Sequence, residues 1–324
     1  MTIHSQRKGH EVGPVGCGMD VLVVGSIAYD SVTSPHGSVE RALGGSATYG
    51  GLACGFHAQR SSLAHVGLVG VVGEDFAQSD LELLASRSLD LSGIETAKGE
   101  TFCWKGSYQG SMAEATTLET HLNVFEHFEP KVPSTHQHPN VTFCANLHPM
   151  VQASVLSQAP PRRCSMLDSM NLWIEIAREP LLAVMNQVDI VIINDGEVRM
   201  LADESNLISA SKKVIDMIGV TTLIIKRGEH GVIAFHGDQT IALPAYPASL
   251  VVDPTGCGDT FAGSLAAHLA SGHGPISRDE LRHGLIAATV SASFTLESFG
   301  TDALYSMSDE QFDRRMEAFE AMLR

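Results

Sequence analysis

The segment DPTGCGDTFAG, residues 253–263, places a turn, two glycines and a carboxylate directly before an apolar helix pattern. Pro254 stiffens the turn, and Gly256 and Gly258 allow a tight backbone whose N–H groups all point one way. Phe261 then begins a helical repeat that two leucines continue at four-residue spacing. A turn of exposed amides at a helix N-terminus is an anion site. The segment therefore predicts a place for a phosphate or a similar anion.

Asp259 lies inside this predicted anion site. A carboxylate beside bound phosphate is electrostatically unfavourable, which is odd for a purely structural residue. It is useful as a base that takes a proton from a hydroxyl group, which then attacks phosphorus. The alternative is that Asp259 caps the helix and the glycines only make the turn. The full eleven-residue string favours the chemical role over the structural one.

Strands that alternate with helices are predicted to position this segment, which implies a mostly parallel sheet with helices on both faces. The first strand covers residues 19–30 and ends at Asp30. Further strands are predicted at 141–146, 163–168, 188–195, 221–228 and 231–237, with helices at 149–157, 171–185, 197–203 and 206–217. Such sheets bind ligands at the carboxyl ends of their strands. The polar residues expected there are Asp30, Asn146, Asp168, Asn194 and Lys226.

The segment 100–112 has a different pattern, with aromatic residues on one face of an extended chain and glycines and serines between them. These aromatic residues are Phe102, Trp104 and Tyr108. We expect a small β appendage built from residues of about 31–43 and 95–128. Residues 19–324 then form one domain, preceded by a disordered tail of residues 1–18.

Composition excludes several classes of partner and compartment. The 324 residues carry a formal net charge of −16, which repels nucleic acid and anionic membranes. No apolar run approaches the ~20 residues of a membrane helix, and the opening residues lack the apolar core of a signal peptide. The six cysteines are scattered, and the His136–His138 pair lies in a polar loop that we interpret as surface rather than a metal site. We expect a reduced, cytoplasmic protein.

Four motifs together resemble those of the ribokinase-type (PfkB) carbohydrate kinases, and the likeness covers nearly the whole chain from Met19. DPTGCGDTFAG resembles the family's C-terminal signature D-T-x-G-A-G-D, with Cys257 where the family usually has Ala. Gly44 and Gly45 match a di-glycine that closes on the substrate. Residues 194–197 match N-x-x-E, and residues 226–231 match K/T-x-G-x-x-G. Each motif alone is weak, but all four occur in the family's order.

The resemblance implies a ribokinase-like three-layer α/β/α sandwich with a mostly parallel central sheet and a small β-sheet lid. It implies ATP as phosphoryl donor with Mg²⁺. Asp259 would be the general base, and the anion hole would come from Gly256, Cys257 and Gly258. The other implied ATP-site residues are Asn194, Glu197, Lys226, Gly228, Gly231 and Thr255, where Glu197 would organise Mg²⁺ through water. The implied substrate-binding residues are Asp30, Gly44, Gly45, Tyr49 and Asn146, and Asp253 is a candidate ligand for K⁺, which some members need.

The predicted acceptor is a primary hydroxyl of a sugar, and a nucleoside is the alternative. Ribokinases carry Asn at two positions where this chain has Ala28 and Tyr49, so two polar contacts to hydroxyls are missing. Aromatic residues stack on nucleobases or on sugar faces. The lid aromatics could instead form a hydrophobic interface, including one with a second subunit, so a homodimer through the lid is also open. Asp168 and Asn171 are balanced between a site role and a structural one, because the Arg that the family often has nearby is absent.

The sequence lacks the marks of two rival enzyme classes and of one non-enzymatic class. A nucleotide-binding oxidoreductase needs G-x-G-x-x-G after the first strand, and GSIAYD lacks it. A P-loop enzyme needs G-x-x-x-x-G-K-[ST], which does not occur. A non-catalytic sugar-binding regulator on the same fold would be marked by loss of the base, and Asp259 is present. The favoured prediction is a kinase acting on a primary alcohol.

Overall fold

The computed structural model describes residues 18–61, 63 and 65–324. Apart from Gly18, the predicted tail lies outside these residues. In the part of the chain that is described, no helix combines the length and the apolar character needed to cross a membrane.

A nine-stranded sheet forms the centre of the molecule, with strand order β13-β12-β11-β10-β9-β8-β1-β4-β5. Its strands are β1 (Val21–Val24), β4 (Val66–Gly73), β5 (Leu89–Ala97), β8 (Val141–Cys144), β9 (Cys164–Asp168), β10 (Ile190–Asn194), β11 (Thr222–Lys226), β12 (Val232–His236) and β13 (Gln239–Leu243). All neighbours pair in parallel except β11 with β12 and β12 with β13, which are antiparallel. The mostly parallel sheet predicted from the sequence is confirmed.

Helices cover both faces of this sheet. They are α1 (Ser46–Arg60), α2 (Gln78–Ser86), α3 (Pro149–Gln158), α4 (Asn171–Ile176), α5 (Arg178–Met185), α6 (Asp195–Ala202), α7 (Leu207–Ile218), α8 (Cys257–Ala270), α9 (Arg278–Thr295), α10 (Asp302–Ser306) and α11 (Asp309–Met322). Alternate residues of one strand enter opposite cores: Ile192 packs with α1, α8 and α9, whereas Val191 packs with α5, α6 and α7. This is why most positions of the central strands are apolar. The helix predicted at 171–185 is two helices, separated at Ala177.

Helices α1 and α8 lie in very close contact, which explains their many small residues. A Cβ atom added at Gly263 of α8 would lie 2.1 Å from the backbone oxygen of Gly50 in α1. A Cβ at Gly50 would lie 3.2 Å from the Phe143 ring of β8. The small residues after the anion-site turn therefore allow α8 to pack tightly beside the sheet.

A separate four-stranded sheet has the order β3-β2-β6-β7. Its strands are β2 (Ala28–Ser34), β3 (Gly37–Gly44), β6 (Phe102–Tyr108) and β7 (Ala115–His121). Strands β2 and β3 form an antiparallel hairpin, and β2 pairs in parallel with β6. The boundaries of this small sheet differ from the expected ranges of about 31–43 and 95–128. The hairpin already begins at Ala28, and residues 95–97 belong to β5 of the large sheet.

Two sequence-based placements were wrong. Asp30 does not end the first strand of the large sheet, because that strand stops at Val24 and Asp30 lies within β2 of the small sheet. The short apolar run hides a change of sheet at residues 25–27. His136 is not at the surface: its side chain is fully buried, with Nε2 3.1 Å from Asp90 Oδ2 and 3.3 Å from Ser92 Oγ.

Candidate active site

The carboxyl ends of three neighbouring strands bring predicted site residues together. Asp168 is the last residue of β9, Asn194 of β10 and Lys226 of β11. In the sheet register Asn194 pairs with Lys226. The turn before α8 reaches the same edge, because a Cβ atom at Gly258 would lie 2.9 Å from the Lys226 ammonium. The polar strand ends and the predicted anion-site turn therefore form one site.

The turn of the signature segment needs glycine at residue 256. Gly256 has φ 77°, in the left-handed region, and it is the N-cap of α8. A Cβ atom there would lie 2.3 Å from the Tyr49 ring. The first turn of α8 then presents N–H groups that an α-helix cannot satisfy internally. The Cys257 amide already donates to Pro254 O at 3.2 Å, so Gly256 and Gly258 are the better placed of the three predicted donors.

Asp259 lies in the first turn of α8, among several other carboxyl groups. Burial raises its pKa to about 7, the Asp168 carboxylate acts in the same direction, and the Lys226 ammonium opposes them. A carboxyl group with a pKa near neutrality can accept a proton at neutral pH more effectively than one of ordinary acidity. The geometry and the pKa both suit the role of a general base.

Asn194 and Glu197 form a reciprocal capping box at the start of α6. The Glu197 amide donates to Asn194 Oδ1 at 2.8 Å, and the Asn194 amide donates to Glu197 Oε2 at 2.8 Å. Asn194 Nδ2 also donates to Glu197 Oε1, at 2.6 Å. Burial raises the pKa of Glu197 to about 7, although Lys226 opposes this. The N-x-x-E motif therefore starts a helix and also points a buried carboxyl group at the site.

Asp30 faces the cluster from the small sheet. Burial raises its pKa to about 7, and the charges of Asp253 and Asp259 add to that rise, whereas a hydrogen bond from the Gly45 amide opposes it. A Cβ atom at Gly44 would lie 2.0 Å from Asp30 Oδ2, and Gly45 has φ 93° as the N-cap of α1. The di-glycine therefore makes room for the Asp30 carboxyl group.

Tyr49 lies beneath the anion-site turn rather than in the open cleft. Its side chain is 1% exposed and its ring contacts Gly256, so neither ring face is available for a nucleobase. Among the residues that the structure describes, its hydroxyl has no hydrogen-bond partner. Burial raises the pKa of this hydroxyl, and nearby Asp30 and Asp253 add to the rise. Tyr49 can contribute a hydrogen bond to a ligand, but not a stacking surface.

Asp253 and Thr255 join the turn to the rest of the protein. Asp253 Oδ1 accepts the Thr255 amide at 2.9 Å, and the Thr255 hydroxyl donates to the Tyr108 hydroxyl at 3.2 Å. Tyr108 thus connects the small sheet directly to the turn, a contact for which the aromatic pattern of β6 was the only sequence signal. The Asp253 carboxyl group is buried, which raises its pKa, although hydrogen bonds from Thr255 and from the Gly300 amide oppose the rise.

The remaining predicted residues lie at the margins of this cluster. Asn146 follows β8, where its Oδ1 accepts Trp173 Nε1 at 2.9 Å and its backbone oxygen accepts the Ser46 hydroxyl at 3.4 Å. Gly228 and Gly231 have φ 52° and 82° and shape the turn between β11 and β12. Their geometry explains why glycine is needed and does not by itself identify a ligand.

Comparisons with known proteins agree with this geometry. The family model for pfkB family carbohydrate kinases matches residues 19–307. A cytidine kinase from Thermococcus kodakarensis is 29% identical over 260 residues, which cover 78% of this chain and 90% of that protein. The nucleoside kinase of Methanocaldococcus jannaschii, described as an archaeal member of the ribokinase family, has a similar structure, with a TM-score of 0.72 at 18% identity over 94% of this chain and 100% of that one.

A nucleoside kinase from Burkholderia thailandensis, solved in complex with ADP-inosine, is also similar in structure. Its TM-score is 0.75 at 18% identity, over 93% of this chain and 96% of that one. These structural likenesses show the ribokinase fold, which the two sheets of this chain reproduce. The family model covers most of the chain and includes all four motifs. The protein therefore belongs to the PfkB family of carbohydrate kinases.

Proposed function

We propose that this protein transfers the terminal phosphoryl group of ATP to the primary hydroxyl of a nucleoside. Family membership supports a phosphotransferase. The observation that carries the mechanism is the position of Asp259 in the first turn of α8, beside the glycine turn and within the electrostatic influence of Lys226. This arrangement puts a proton acceptor next to an anion site, which phosphoryl transfer to an alcohol requires.

In the proposed reaction Asp259 accepts the proton of the acceptor hydroxyl as its oxygen bonds to phosphorus. The bond between that phosphorus and the bridging oxygen of ATP breaks, and ADP leaves. Gly256 and Gly258 would donate backbone hydrogen bonds to the transferring phosphoryl group. Asp30, on the opposite wall, would accept hydrogen bonds from acceptor hydroxyls and orient the reacting one.

The residues present fit Mg²⁺ bound mainly through the nucleotide. Among the described residues, no three His, Cys, Asp or Glu side chains converge as a metal site. Mg²⁺ in such enzymes is held by phosphates, water and one or two carboxylates, and it neutralises phosphate charge. Asn194 and Glu197, with an amide and a buried carboxyl group at the strand ends, would hold its water ligands. Asp253, a buried carboxyl group beside the turn, would be a ligand for K⁺.

Two observations favour a nucleoside over a free sugar as acceptor. The cytidine kinase relative aligns over most of its length. In addition, Trp104 pairs with Asp30 in the parallel register of β2 and β6, so both side chains lie on the same face of the small sheet. An aromatic residue beside the proposed hydroxyl-binding carboxylate suits a base attached to a sugar. Unlike Tyr49, Trp104 is only partly buried. A free sugar is the second candidate, because Asp30 alone would be enough to accept hydrogen bonds from its hydroxyl groups.

The small sheet would act as a lid that excludes water during transfer. Tyr108 links it to the turn before α8, so closing the lid would also order the anion site. The edge strands β3 and β7 could pair with a second copy, and a homodimer through the lid stays a prediction. Light scattering would measure the mass in solution.

The experiment measures ADP release from MgATP with a panel of nucleosides, free sugars and sugar phosphates, with and without K⁺. We expect release with a nucleoside such as cytidine and little with ribose or fructose. Release only with a free sugar would replace the nucleoside proposal with the sugar one. No release with any acceptor, while ATP still binds, would oppose both and favour a non-catalytic binding protein.

A further inference from the structure

Lys226 and Asp168 form an ion pair across β10 at the carboxyl edge of the large sheet. Lys226 Nζ lies 2.8 Å from Asp168 Oδ2 and 3.0 Å from Oδ1. The Asp168 side chain is 4% exposed, whereas that of Lys226 is 21% exposed. The carboxylate is therefore enclosed, and the ammonium can still be reached by a ligand in the cleft.

The ammonium group lies at the start of α8 as well as on Asp168. A Cβ atom added at Gly258 would lie 2.9 Å from Lys226 Nζ. Burial lowers the pKa of Lys226, but the carboxylates of Asp168 and Glu197 raise it by more, so its pKa lies above the ordinary value. Lys226 is therefore a permanent positive charge beside the backbone that would hold a phosphoryl group.

The Lys226 ammonium group contacts both oxygens of the Asp168 carboxylate. In the described part of the chain both of its hydrogen bonds go to Asp168. An ammonium group has three donors, so at least one remains for a ligand. The contact with both oxygens of one carboxylate restrains the position of the ammonium group.

Asp168 is itself held firmly. Its Oδ1 accepts the Ser169 amide at 2.9 Å, and its backbone oxygen accepts Gln152 Nε2 at 2.9 Å. Gln152 is fully buried and also donates to Ala145 O at 2.9 Å. These contacts fix the end of β9 to the segment that follows β8. A rigid carboxylate in this position can orient a lysine more precisely than a solvated one could.

We propose that Asp168 is a positioning residue that aims a remaining donor of Lys226 at the phosphoryl group that is transferred from ATP. This inference rests on the proposed kinase function and assigns Lys226 to the terminal phosphate rather than to the rest of the nucleotide. Asp168 acts only through Lys226. A purely structural ion pair is the alternative, and it would contribute to folding without distinguishing ATP from ADP.

The first test compares the affinities of ATP and ADP by calorimetry in Lys226→Met, Lys226→Arg and wild type. We expect Lys226→Met to weaken ATP binding about tenfold and ADP binding less than about twofold, because only ATP carries the phosphate that Lys226 contacts. Lys226→Arg keeps the charge and should recover part of the ATP preference. Equal weakening of ATP and ADP, or no weakening of either, would overturn the inference.

The matched control is Glu280→Gln, which breaks a similar partly buried ion pair between Arg163 and Glu280, with a separation of 2.8 Å, outside this site. It should leave the ratio of ATP to ADP affinity unchanged. Circular dichroism melting would show that each variant is folded. Wild-type turnover tests the kinase function separately, so failure of that function and failure of this inference give different results.

The second test is the pH profile of kcat in Asp168→Asn. Loss of the carboxylate removes the largest of the charges that raise the pKa of Lys226, so the ammonium should deprotonate at a lower pH. We expect kcat to fall about tenfold at neutral pH and the decline at alkaline pH to begin earlier than in wild type. A lower melting temperature with an unchanged pH profile would contradict a positioning role.

Discussion

Acidic residues have different surroundings at the two ends of the strands of the large sheet, here called its amino edge and its carboxyl edge. At the amino edge, where the strands begin, three carboxylates have close partners: Arg163 with Glu280 at 2.8 Å, His136 with Asp90 at 3.1 Å, and Asp189 Oδ2 with the amide and hydroxyl of Ser165, both at 2.8 Å. Burial raises the pKa of Asp90, but Ser92 and His136 lower it by more. This edge is arranged for stability.

The carboxyl edge gathers several buried acids around one cation, Lys226. Burial raises the pKa values of Asp30, Glu197 and Asp259 to about 7 each, and Lys226 is the cation that opposes the rise at two of them. Crowded carboxyl groups cost stability, so a sheet edge that retains them is expected to be functional. The difference supports the proposal that the reaction takes place at the carboxyl edge. Substitutions at the two edges should then have different consequences.

The largest expected effect among substitutions that change the shape of the turn comes from Gly256→Ala. The new Cβ atom would meet the Tyr49 ring at 2.3 Å, and the φ of 77° disfavours any side chain. We expect turnover to fall by about 10³-fold, because the backbone donors lose their alignment. Gly274→Ala is the matched control, since its φ is 69° and a Cβ there meets nothing within 4 Å. Similar turnover in both variants would contradict this role for the turn.

The next effect is the pH dependence of kcat/KM. Asp259 must be ionised to accept a proton, and its pKa is raised to about 7. We therefore expect kcat/KM to fall about tenfold per pH unit below 7, which gives about a hundredfold loss at pH 5. The Asp30→Asn variant should show the same fall of kcat/KM below pH 7 if protonation of Asp259 causes the fall. A profile that stays flat down to pH 5 would oppose a base of this kind.

Glu197→Gln should have a smaller effect. Glutamine can retain the helix cap, as Gln311 does in the capping box of α11, so the variant removes charge and keeps the fold. We expect kcat/KM for MgATP to fall about thirtyfold, mainly through weaker use of Mg²⁺. A titration of activity against Mg²⁺ concentration checks this. If the Mg²⁺ dependence does not change, Glu197 has no part in holding the metal.

The smallest expected effect is a change in the free energy of unfolding. Its sign is opposite for substitutions at the carboxyl edge and at the amino edge. The folded state holds the Asp30 proton more tightly than the unfolded chain, so this contribution to stability is complete below pH 3.8 and is lost as the pH rises through about 7. Asp30→Asn should therefore raise the free energy of unfolding by about 2 kcal/mol at pH 8, and by less at pH 5. Asp189→Asn should lower it by about 1 kcal/mol. Equal signs in thermal melts at pH 8 would contradict the comparison.

The sequence predicted the fold well where strands are continuous apolar runs. Strands β8 to β12 and the carboxyl-end residues Asp168, Asn194 and Lys226 were placed correctly, because burial on both faces leaves a clear pattern. The run from residue 19 to 30 was misplaced because only three residues separate the apolar β1 from the start of β2, which is also buried.

The sequence could not predict which side chains contact each other. Asp168 and Lys226 are 58 residues apart, and only the strand order brings their side chains into contact. His136 looked exposed in a Pro-rich polar loop, but its partners come from β5, far away in sequence. Tyr49 suggested stacking because its residue type is aromatic, whereas its position beneath Gly256 depends on the close packing of α1 against α8.

The most direct test of the central claim is turnover and ATP affinity in Asp259→Asn, measured with the acceptor that supports ADP release in wild type. If Asp259 is the base, kcat should fall by about 10³-fold or more while the ATP dissociation constant changes less than about threefold. The melting temperature should not decrease, since a crowded carboxyl group has been neutralised. Turnover within tenfold of wild type would show that another group accepts the proton, and it would contradict the role of Asp259 as the base.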